Sequence, residues 1–444
     1  MLPAYRTEGP EDTLPPFALA RSDVEGFLHE LRGFHEAFRD CFTRREPREH
    51  FFRYMVGQFS PLERKSIEPM ALAVDGGNVR GMQRFISDDV WNTDQMRRIY
   101  HQLVDDDIGA PDGVVIVDER GFAKKGTDSV GVARQYCGSL GKVDNCQVGV
   151  FAAYASHAGY ALVDTRLFVP EPWLSDAYAM RRARCKVPEE LTFQTKPQLA
   201  GAMVRELSQD GIMPFKYVVA DCLYGNSPDF LEALEACRGL TYMVAMPADT
   251  RCWLQGPVLE HKPYRYKGEA RTKRTVAQKD HHPPSVEAIA KGIHGCFWYR
   301  RRVSEGTKGP IEYEFTKRRI ILCRDGRPDR AVWLVVKRSL GKQPAYWYYI
   351  SNAPWSTRLP TFVWLSGVRW AIEQCFEEGK TELGMDHYEV RQYPGWHHHM
   401  WICLLAHFFL WHVNIRWGGK RPGIDPVPDA DATGSRLPMA HVDE

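Results

Sequence analysis

The stretch that decides the fold is Val-Val-Ile-Val-Asp at residues 114–118, which has a later counterpart in Tyr-Val-Val-Ala-Asp at residues 217–221. Each is a continuous apolar run that ends in an aspartate, and such runs are typical of strands buried inside an α/β sheet. A carboxylate beside so apolar a run is poorly solvated, so it tends to serve a metal, a cation or a catalytic step. Either aspartate alone is more often a turn former or a helix N-cap. The two together favour a shared site of Asp118 and Asp221.

The patterns around these runs predict a mixed α/β sheet with flanking helices. Further strands are predicted at 147–155, 160–169 and 241–246, and helices at 196–210 and around 229–236. The resulting order is three strands, a helix, a strand, a helix and a strand, which is an α/β arrangement.

Residues 1–105 predict an N-terminal helical domain. An amphipathic pattern marks a helix over 24–42, and a Ser-Pro-x-Glu start signal at Ser60 marks a second helix that runs to about Ala73. A third helix is predicted at 88–104. We expect this domain to bind DNA; a plain helical cap on the next domain is the alternative.

Beyond residue 247 the chain becomes basic and rich in Gly, Pro and aromatic residues with short β-like runs, and the α/β pattern resumes near residue 347. There a strand at 347–351 precedes a long helix from about Thr361 to Leu383 and another from about Trp396 to Trp411. The predicted divisions are the helical domain at 1–105, the first part of an α/β core at 106–247, a β-rich insertion at 248–346, the second part of the core at 347–417 and a disordered tail at 418–444.

The charge is strongly segregated along the chain. Residues 262–342 carry 21 Lys and Arg against 8 Asp and Glu, a local net charge of +13, which leaves −11 for the rest. Such a block favours a polyanionic partner, because Lys and Arg contacts to phosphates supply most non-specific affinity for nucleic acid. Arg300, Arg301 and Arg302 are consecutive in this block and are candidate DNA contacts. A solvated basic face is the alternative.

A third acidic element lies in Arg369-Trp-Ala-Ile-Glu373-Gln-Cys-Phe-Glu-Glu-Gly-Lys380. On a helix Arg369 and Glu373 are neighbours, and Lys380 returns to the same face two turns later. A surface salt-bridge ladder fits poorly, because the helix is otherwise largely apolar and a buried ionic face is costly without a ligand. Carboxylates from Asp118, Asp221 and Glu373 can hold two divalent cations through oxygen ligands, which is an arrangement suited to phosphodiester chemistry.

These motifs resemble those of DDE transposases, and more narrowly those of the insertion-sequence 701 group of bacteria. The resemblance covers about residues 50–412 and rests on paired motifs. They are Val-Ile-Val-Asp-Glu-Arg-Gly-Phe-Ala-Lys-Lys-Gly at 115–126, Val-Val-Ala-Asp-Cys-Leu-Tyr-Gly at 218–225, the Arg-x3-Glu-x6-Lys helix, Phe51-Phe-Arg-Tyr, Ser60–Met70, Arg134-Gln-Tyr, Asn145–Val150, Gly395-Trp-His and Leu404-Leu-Ala-His. Ser366 stands where the signature of the family has a tyrosine.

The resemblance implies an RNase H-like fold with a β-rich insertion between the second Asp and the Glu. It implies that Asp118, Asp221 and Glu373 bind Mg²⁺, with Mn²⁺ able to substitute, and that Arg369 and Lys380 bind the phosphates of the transposon ends. The implied activity is metal-dependent cleavage at terminal inverted repeats of double-stranded DNA and joining of the 3′-OH ends to target DNA, by at least a dimer on DNA. The alternatives are a domesticated DNA-binding regulator and a metal-dependent nuclease without strand transfer.

Further sequence features bear on where the protein is located and on which other residues contact DNA or metal. The N-terminus lacks an apolar signal segment, no run is long enough to cross a bilayer, and the 11 cysteines form no Cys-x-x-Cys. We therefore expect a cytoplasmic, nucleoid-associated protein without a membrane partner. Lys124 and Lys125 follow the first carboxylate and are candidate phosphate contacts, with a solvated turn as the alternative. Glu119 is interpreted as solvated loop, and the tract His397–His399 opens an apolar helix without the partners of a zinc site.

Overall fold

A computed structural model describes residues 21–267, 269–280, 282–306 and 309–416 of the chain. The tail predicted at 418–444 lies outside these residues. The described residues fall into two compact units, one made of the chain up to Val244 together with the chain from Arg369 onward, and a second made of Ala245–Val368.

The first unit contains a mixed sheet and most of the helices. Its helices are α1 (Arg21–Glu36), α2 (Arg45–Phe59), α3 (Ile67–Ala73), α4 (Val79–Ser87), α5 (Thr93–Ile108), α6 (Ala179–Arg184), α7 (Lys196–Asp210), α8 (Cys222–Gly225), α9 (Pro228–Glu235), α12 (Trp370–Thr381) and α13 (Tyr393–Arg416). Its strands are β1 (Val114–Ala123), β2 (Ala133–Cys137), β3 (Lys142–Ser156), β4 (Gly159–Phe168), β5 (Tyr217–Ala220) and β6 (Thr241–Met246), at whose end the first unit gives way to the second.

The sheet of the first unit runs in the order β6-β5-β1-β3-β2, and β4 pairs with β3 on its other side. Strands β1, β5 and β6 are mutually parallel, whereas β3 is antiparallel to β1, β2 and β4. The predicted mixed α/β sheet with flanking helices is confirmed. Strand β1 is longer than predicted, since it continues for five residues beyond Asp118 along β3 alone. Strand β2 is an element that the sequence pattern did not predict.

The N-terminal helices lie in the same compact unit as the sheet. Phe34 of α1 packs on Phe409 of α13, with 5.2 Å between ring centroids. On α5, the hydroxyl of the fully buried Tyr100 donates to the Leu162 carbonyl of β4 at 2.5 Å. Apolar side chains of these helices therefore bury against the rest of the unit, which stabilises both.

The prediction that a helix starts at Ser60 is wrong. The structure has α2 ending at Phe59 with Ser60 as its C-cap, and α3 beginning only at Ile67. The Ser60 hydroxyl donates back to the Val56 carbonyl at 2.9 Å, so it closes the preceding helix instead of opening the next. The following Pro61 lacks a backbone N–H and cannot continue α2, which is why the same motif is compatible with a helix end.

The second unit is rich in β-structure. Its elements are β7 (Cys252–Trp253), β8 (Leu259–Tyr266), β9 (Glu269–Val276), α10 (Val286–Lys291), β10 (Tyr299–Gly306), β11 (Gly309–Arg324), β12 (Arg327–Arg338), β13 (Tyr346–Ser351) and α11 (Leu359–Val368). Strands β10 to β13 pair in sequence as an antiparallel meander, β7 pairs with β11, and β8 pairs with β9 as a separate hairpin.

The long helix predicted from Thr361 to Leu383 is two helices. Helix α11 ends at Val368, and α12 begins at Trp370, with Arg369 between them. The chain passes from the second unit to the first at this break. The apolar run supports helix on both sides, but the break itself carries no Pro signal in the sequence. Across the described residues, every helix is too short or too polar to serve as a membrane-spanning segment.

Candidate active site

Asp118 and Asp221 are neighbours because of the register of two parallel strands. Val117 of β1 and Ala220 of β5 form the last pair between those strands, and the residue that directly follows each of them is an aspartate. Asp221 also caps α8, since its Oδ1 accepts from the backbone N–H of Leu223 at 2.9 Å. The aspartate is thus a helix N-cap as well as a neighbour of Asp118, and the cap fixes its orientation.

Helix α12 places Glu373 over the same edge of the sheet. Phe376 of α12 packs edge-on against Phe151 at 5.1 Å between centroids, and Phe151 is the cross-strand partner of Asp118 on β3. Further along the helix, Glu378 accepts hydrogen bonds from the Tyr160 hydroxyl at 3.1 Å and from His407 Nε2 at 2.7 Å. These contacts fix the position of α12 against β3, β4 and α13.

The hydrogen bonds to Glu378 affect the pKa of its carboxyl group. Burial is the largest influence and raises the pKa of this carboxyl, but the hydrogen bond and charge of His407 and the hydrogen bonds from Gln374 and Tyr160 together hold the pKa below its ordinary value. His407 belongs to the Leu-Ala-His segment singled out in the sequence, and the structure gives that segment a packing role.

Arg369 joins two of the three predicted carboxylates. Its Nη1 donates to Asp118 Oδ2 and its Nη2 donates to Glu373 Oε1, both at 2.7 Å. Asp118, whose side chain is 16% exposed, is the more enclosed partner, whereas Arg369 and Glu373 are each 36% exposed. A guanidinium that binds one carboxylate with each of two nitrogens is a strong, oriented contact.

Glu119 is a fourth carboxylate in the site, so its interpretation as solvated loop is wrong. Asp118, Glu119 and Asp221 each bring one oxygen within 4.8 Å of the others, and in the described part of the chain no other group of three potential metal ligands does so. Glu119 Oε2 accepts from the Tyr224 hydroxyl at 2.8 Å, and its Oε1 accepts from Lys196 Nζ at 3.2 Å. Its adjacency to Asp118 was the available signal.

The crowding of these carboxylates shifts their pKa values upward. Burial raises the pKa of Asp118 to about 7; Arg369 opposes this rise, and the charges of Asp221 and Glu119 add to it. The pKa of Asp221 is raised for the same reasons, first by burial and then by Glu119. A cation bound among these oxygens would hold them ionised, which is the usual relation between clustered carboxylates and metal.

The predicted phosphate contacts of the first unit differ in their environment. Lys380, in the last turn of α12, lies 3.8 Å from Asp386 and is 19% exposed. Lys124 is half-buried, donates to the Tyr388 carbonyl at 3.1 Å and lies over the Tyr388 ring, and burial lowers its pKa to about 8. Lys125 is exposed. Lys124 is held by a backbone carbonyl and an aromatic ring, and Lys380 by a longer ion pair.

The remaining candidates lie in the second unit. Arg300, Arg301 and Arg302 are exposed on β10, and Arg300 Nε donates to Glu312 of β11 at 2.9 Å. Ser366, at the position of the signature tyrosine, lies in α11 with its hydroxyl donating to the Val363 carbonyl at 2.7 Å.

The family described as DDE superfamily endonuclease matches residues 37–310, which is more than half of the chain and includes both aspartates. The chain belongs to the DDE superfamily endonucleases. It is 25% identical over 345 residues to the probable transposase for insertion sequence element IS701 of Microchaete diplosiphon, covering 77% of each protein. The resemblance to DDE transposases of the insertion-sequence 701 group is confirmed.

Two solved structures are distantly similar to this DDE endonuclease. One is a synaptic complex of the piggyBac transposase with hairpin DNA, 11% identical, with a TM-score of 0.34 and covering 90% of this chain and 68% of that one. The other is the NurA nuclease of Sulfolobus solfataricus, 11% identical, with a TM-score of 0.26 and covering 67% of this chain and 88% of that one. Both similarities are too weak to assign a fold.

The DDE family implies a nuclease-type enzyme with a divalent cation, and the donor set of this chain fits such an ion. The clustered atoms of Asp118, Glu119 and Asp221 are all carboxylate oxygens, which are the ligands that Mg²⁺ and Mn²⁺ prefer. Glu373 is not one of these three residues, but it is linked to Asp118 because Arg369 donates a hydrogen bond to each of them. The matched family region ends before Glu373, so its assignment depends on the geometry and the helix motif.

Proposed function

We propose that this DDE transposase binds the terminal inverted repeats of its own element, cleaves the DNA at the element ends and joins the freed 3′-OH ends to target DNA. The observation that carries the proposal is the placement of Asp118 and Asp221 side by side after the last β1–β5 pair, with Glu373 linked to Asp118 by Arg369. We further propose that the sheet of the first unit is RNase H-like and that residues 248–346 act as an insertion in it.

In this proposal each side chain has a distinct task. Asp118, Asp221 and Glu373 would hold Mg²⁺ or Mn²⁺, and such ions supply activation of a water or 3′-hydroxyl and charge stabilisation at the phosphate. Asp221 is held in place by its cap on α8, and Glu373 by the packing of α12. Arg369 and Lys380 would offer positive charge for the phosphates of the element ends, at a site where the carboxylates alone would repel DNA.

The proposed partners and location follow from this chemistry. Two element ends processed together require two active sites, so we propose a homodimer assembled on DNA. Lys125 and the exposed Arg300, Arg301 and Arg302 are proposed to contact the DNA backbone, which carries no sequence information by itself. A protein whose substrate is chromosomal and element DNA would be associated with the bacterial nucleoid in the cytoplasm.

The test is a cleavage and joining assay with duplexes that carry the ends of the encoding element, in Mg²⁺ or Mn²⁺, with products mapped on both strands. Asp118→Asn, Asp221→Asn and Glu373→Gln should each abolish cleavage while end binding persists. Binding without cleavage by the unaltered protein would identify a DNA-binding regulator instead. Cleavage without joined products would identify a nuclease that lacks strand transfer.

A further inference from the structure

The guanidinium of Arg369 occupies the space between two carboxylates that the proposed chemistry needs for a cation. It donates to Asp118 and to Glu373 at 2.7 Å, so both oxygens that face each other across α12 and β1 are already neutralised by a side chain of the protein. Each cation that enters next to these oxygens must compete with that internal positive charge. Ion pairs of this geometry in a partly buried site are costly to break unless each charge finds a new partner.

Arg369 is the residue at the junction of two helices, and its backbone has a helical conformation. It lies between α11 and α12, and its side chain makes no cap hydrogen bond to the start of α12. Its side chain is 36% exposed, so an incoming phosphate can reach it. Guanidinium groups bind phosphate oxygens with the same two-pronged geometry that they use for carboxylates.

We propose that Arg369 is an internal counter-ion that couples cation binding to DNA binding. Without DNA it holds Asp118 and Glu373 together as an ion-paired cluster and weakens their affinity for a divalent cation. When a phosphate of the element end binds Arg369, the two carboxylates lose their internal partner and take up the cation. This inference rests on the proposed function, and it adds regulation of the same site: the carboxylates become fully available only after the substrate has arrived.

The energetic consequence is a reciprocal coupling. If DNA raises the affinity for the cation, the cation must raise the affinity for DNA by the same factor. The coupling should pass through Arg369, because it alone of the described cations donates to both Asp118 and Glu373 in the hydrogen bonds of the structure.

The experiment measures Mn²⁺ affinity by electron paramagnetic resonance, with and without a pre-cut element-end duplex that leaves no bond to hydrolyse. In the absence of DNA, Arg369→Gln should bind Mn²⁺ more tightly than the unaltered protein by roughly tenfold or more, because a competing charge has been removed. Arg369→Lys, which can reach only one carboxylate at a time, should give an intermediate affinity. The matched control Arg391→Gln removes a guanidinium that is 70% exposed and should leave the affinity unchanged.

Addition of the duplex completes the test. The unaltered protein should gain Mn²⁺ affinity by roughly tenfold, whereas Arg369→Gln should gain little, because its carboxylates are already free. Equal or weaker Mn²⁺ binding by Arg369→Gln without DNA would overturn the proposal, since a merely structural arginine would weaken the site when lost. The DNA-free comparison stands even if the protein fails to cleave its ends, so failure of the proposed function is distinguishable from failure of the coupling.

Discussion

Glu119 follows Asp118 directly in the chain and lies with Asp118 and Asp221 in one cluster of carboxylates. Along β1 successive side chains point to opposite faces, so Asp118 reaches Arg369 while Glu119 reaches Tyr224 and Lys196. Strand β5 ends at Ala220, and the next residue, Asp221, has an oxygen close to those of both Asp118 and Glu119.

At this scale we predict that Glu119→Gln weakens Mn²⁺ binding by about tenfold, because it removes one negative charge close to the other carboxylates. The amide can still accept the hydrogen bond from Tyr224, so the fold should be retained. Titration calorimetry of Mn²⁺ checks the prediction, with Asp144→Asn, which alters an exposed ion pair with Lys142, as the control. An affinity equal to that of the unaltered protein would show that Glu119 only supports Tyr224 and Lys196.

Helix α13 carries the tract His397–His399 in its first two turns. His398 and His399 are buried. His398 Nδ1 donates to the Ile86 carbonyl at 2.7 Å and its ring stacks on Trp91 at 3.8 Å. His399 accepts from the Tyr54 hydroxyl at 2.8 Å and donates through Nε2 to the Met385 carbonyl at 3.1 Å. These contacts use ring nitrogens that a metal would need.

Burial lowers the pKa of His397 to about 3 and those of His398 and His399 to about 4. The unfolded chain takes up these protons below about pH 6.5, whereas the folded chain stays neutral, so stability should fall as the pH drops from about 6.5 to 4. In His398→Phe, which keeps a ring on Trp91, the slope of unfolding free energy against pH should be smaller by about 1.4 kcal/mol per pH unit. Chemical denaturation across this range measures the slope, and an unchanged slope would contradict the buried neutral state of His398.

The elements around the carboxylates could be predicted from the sequence because their signals are local. The apolar run before Asp221 predicts a strand, and the pattern of 196–210 predicts a helix. The structure has β5 at Tyr217–Ala220 and α7 at Lys196–Asp210. The break at Arg369 could not be predicted, because both flanking segments have helical patterns. The contact of Arg369 with Asp118 joins residues far apart in sequence, so only the folded chain shows it.

At the scale of the whole molecule, the charge of the chain is divided between the two units. The basic block at 262–342 lies within the second unit, Ala245–Val368, whereas the carboxylates lie in the first. The consequence of this division for function is a prediction about DNA affinity, because phosphate contacts determine the salt dependence of binding.

Charge reversal of Arg300, Arg301 and Arg302 to Glu should weaken DNA binding and flatten its salt dependence. Each phosphate contact contributes roughly 0.9 to the slope of log affinity against log salt concentration, so three contacts would change the slope by up to about 2.7. Fluorescence anisotropy with an element-end duplex at several salt concentrations measures the slope.

The control for this prediction reverses three exposed cations of the first unit, Lys142, Lys186 and Arg391, whose side chains are 64%, 43% and 70% exposed. Both triple variants change the net charge by the same amount, so a general effect of charge on association would lower affinity equally in both. A smaller slope in the Arg300–Arg302 variant alone would place phosphates against β10, because only direct contacts release condensed counterions. Equal slopes in the two variants would mean that the arginines solvate the surface of the second unit and that its basic charge contacts DNA elsewhere along 262–342.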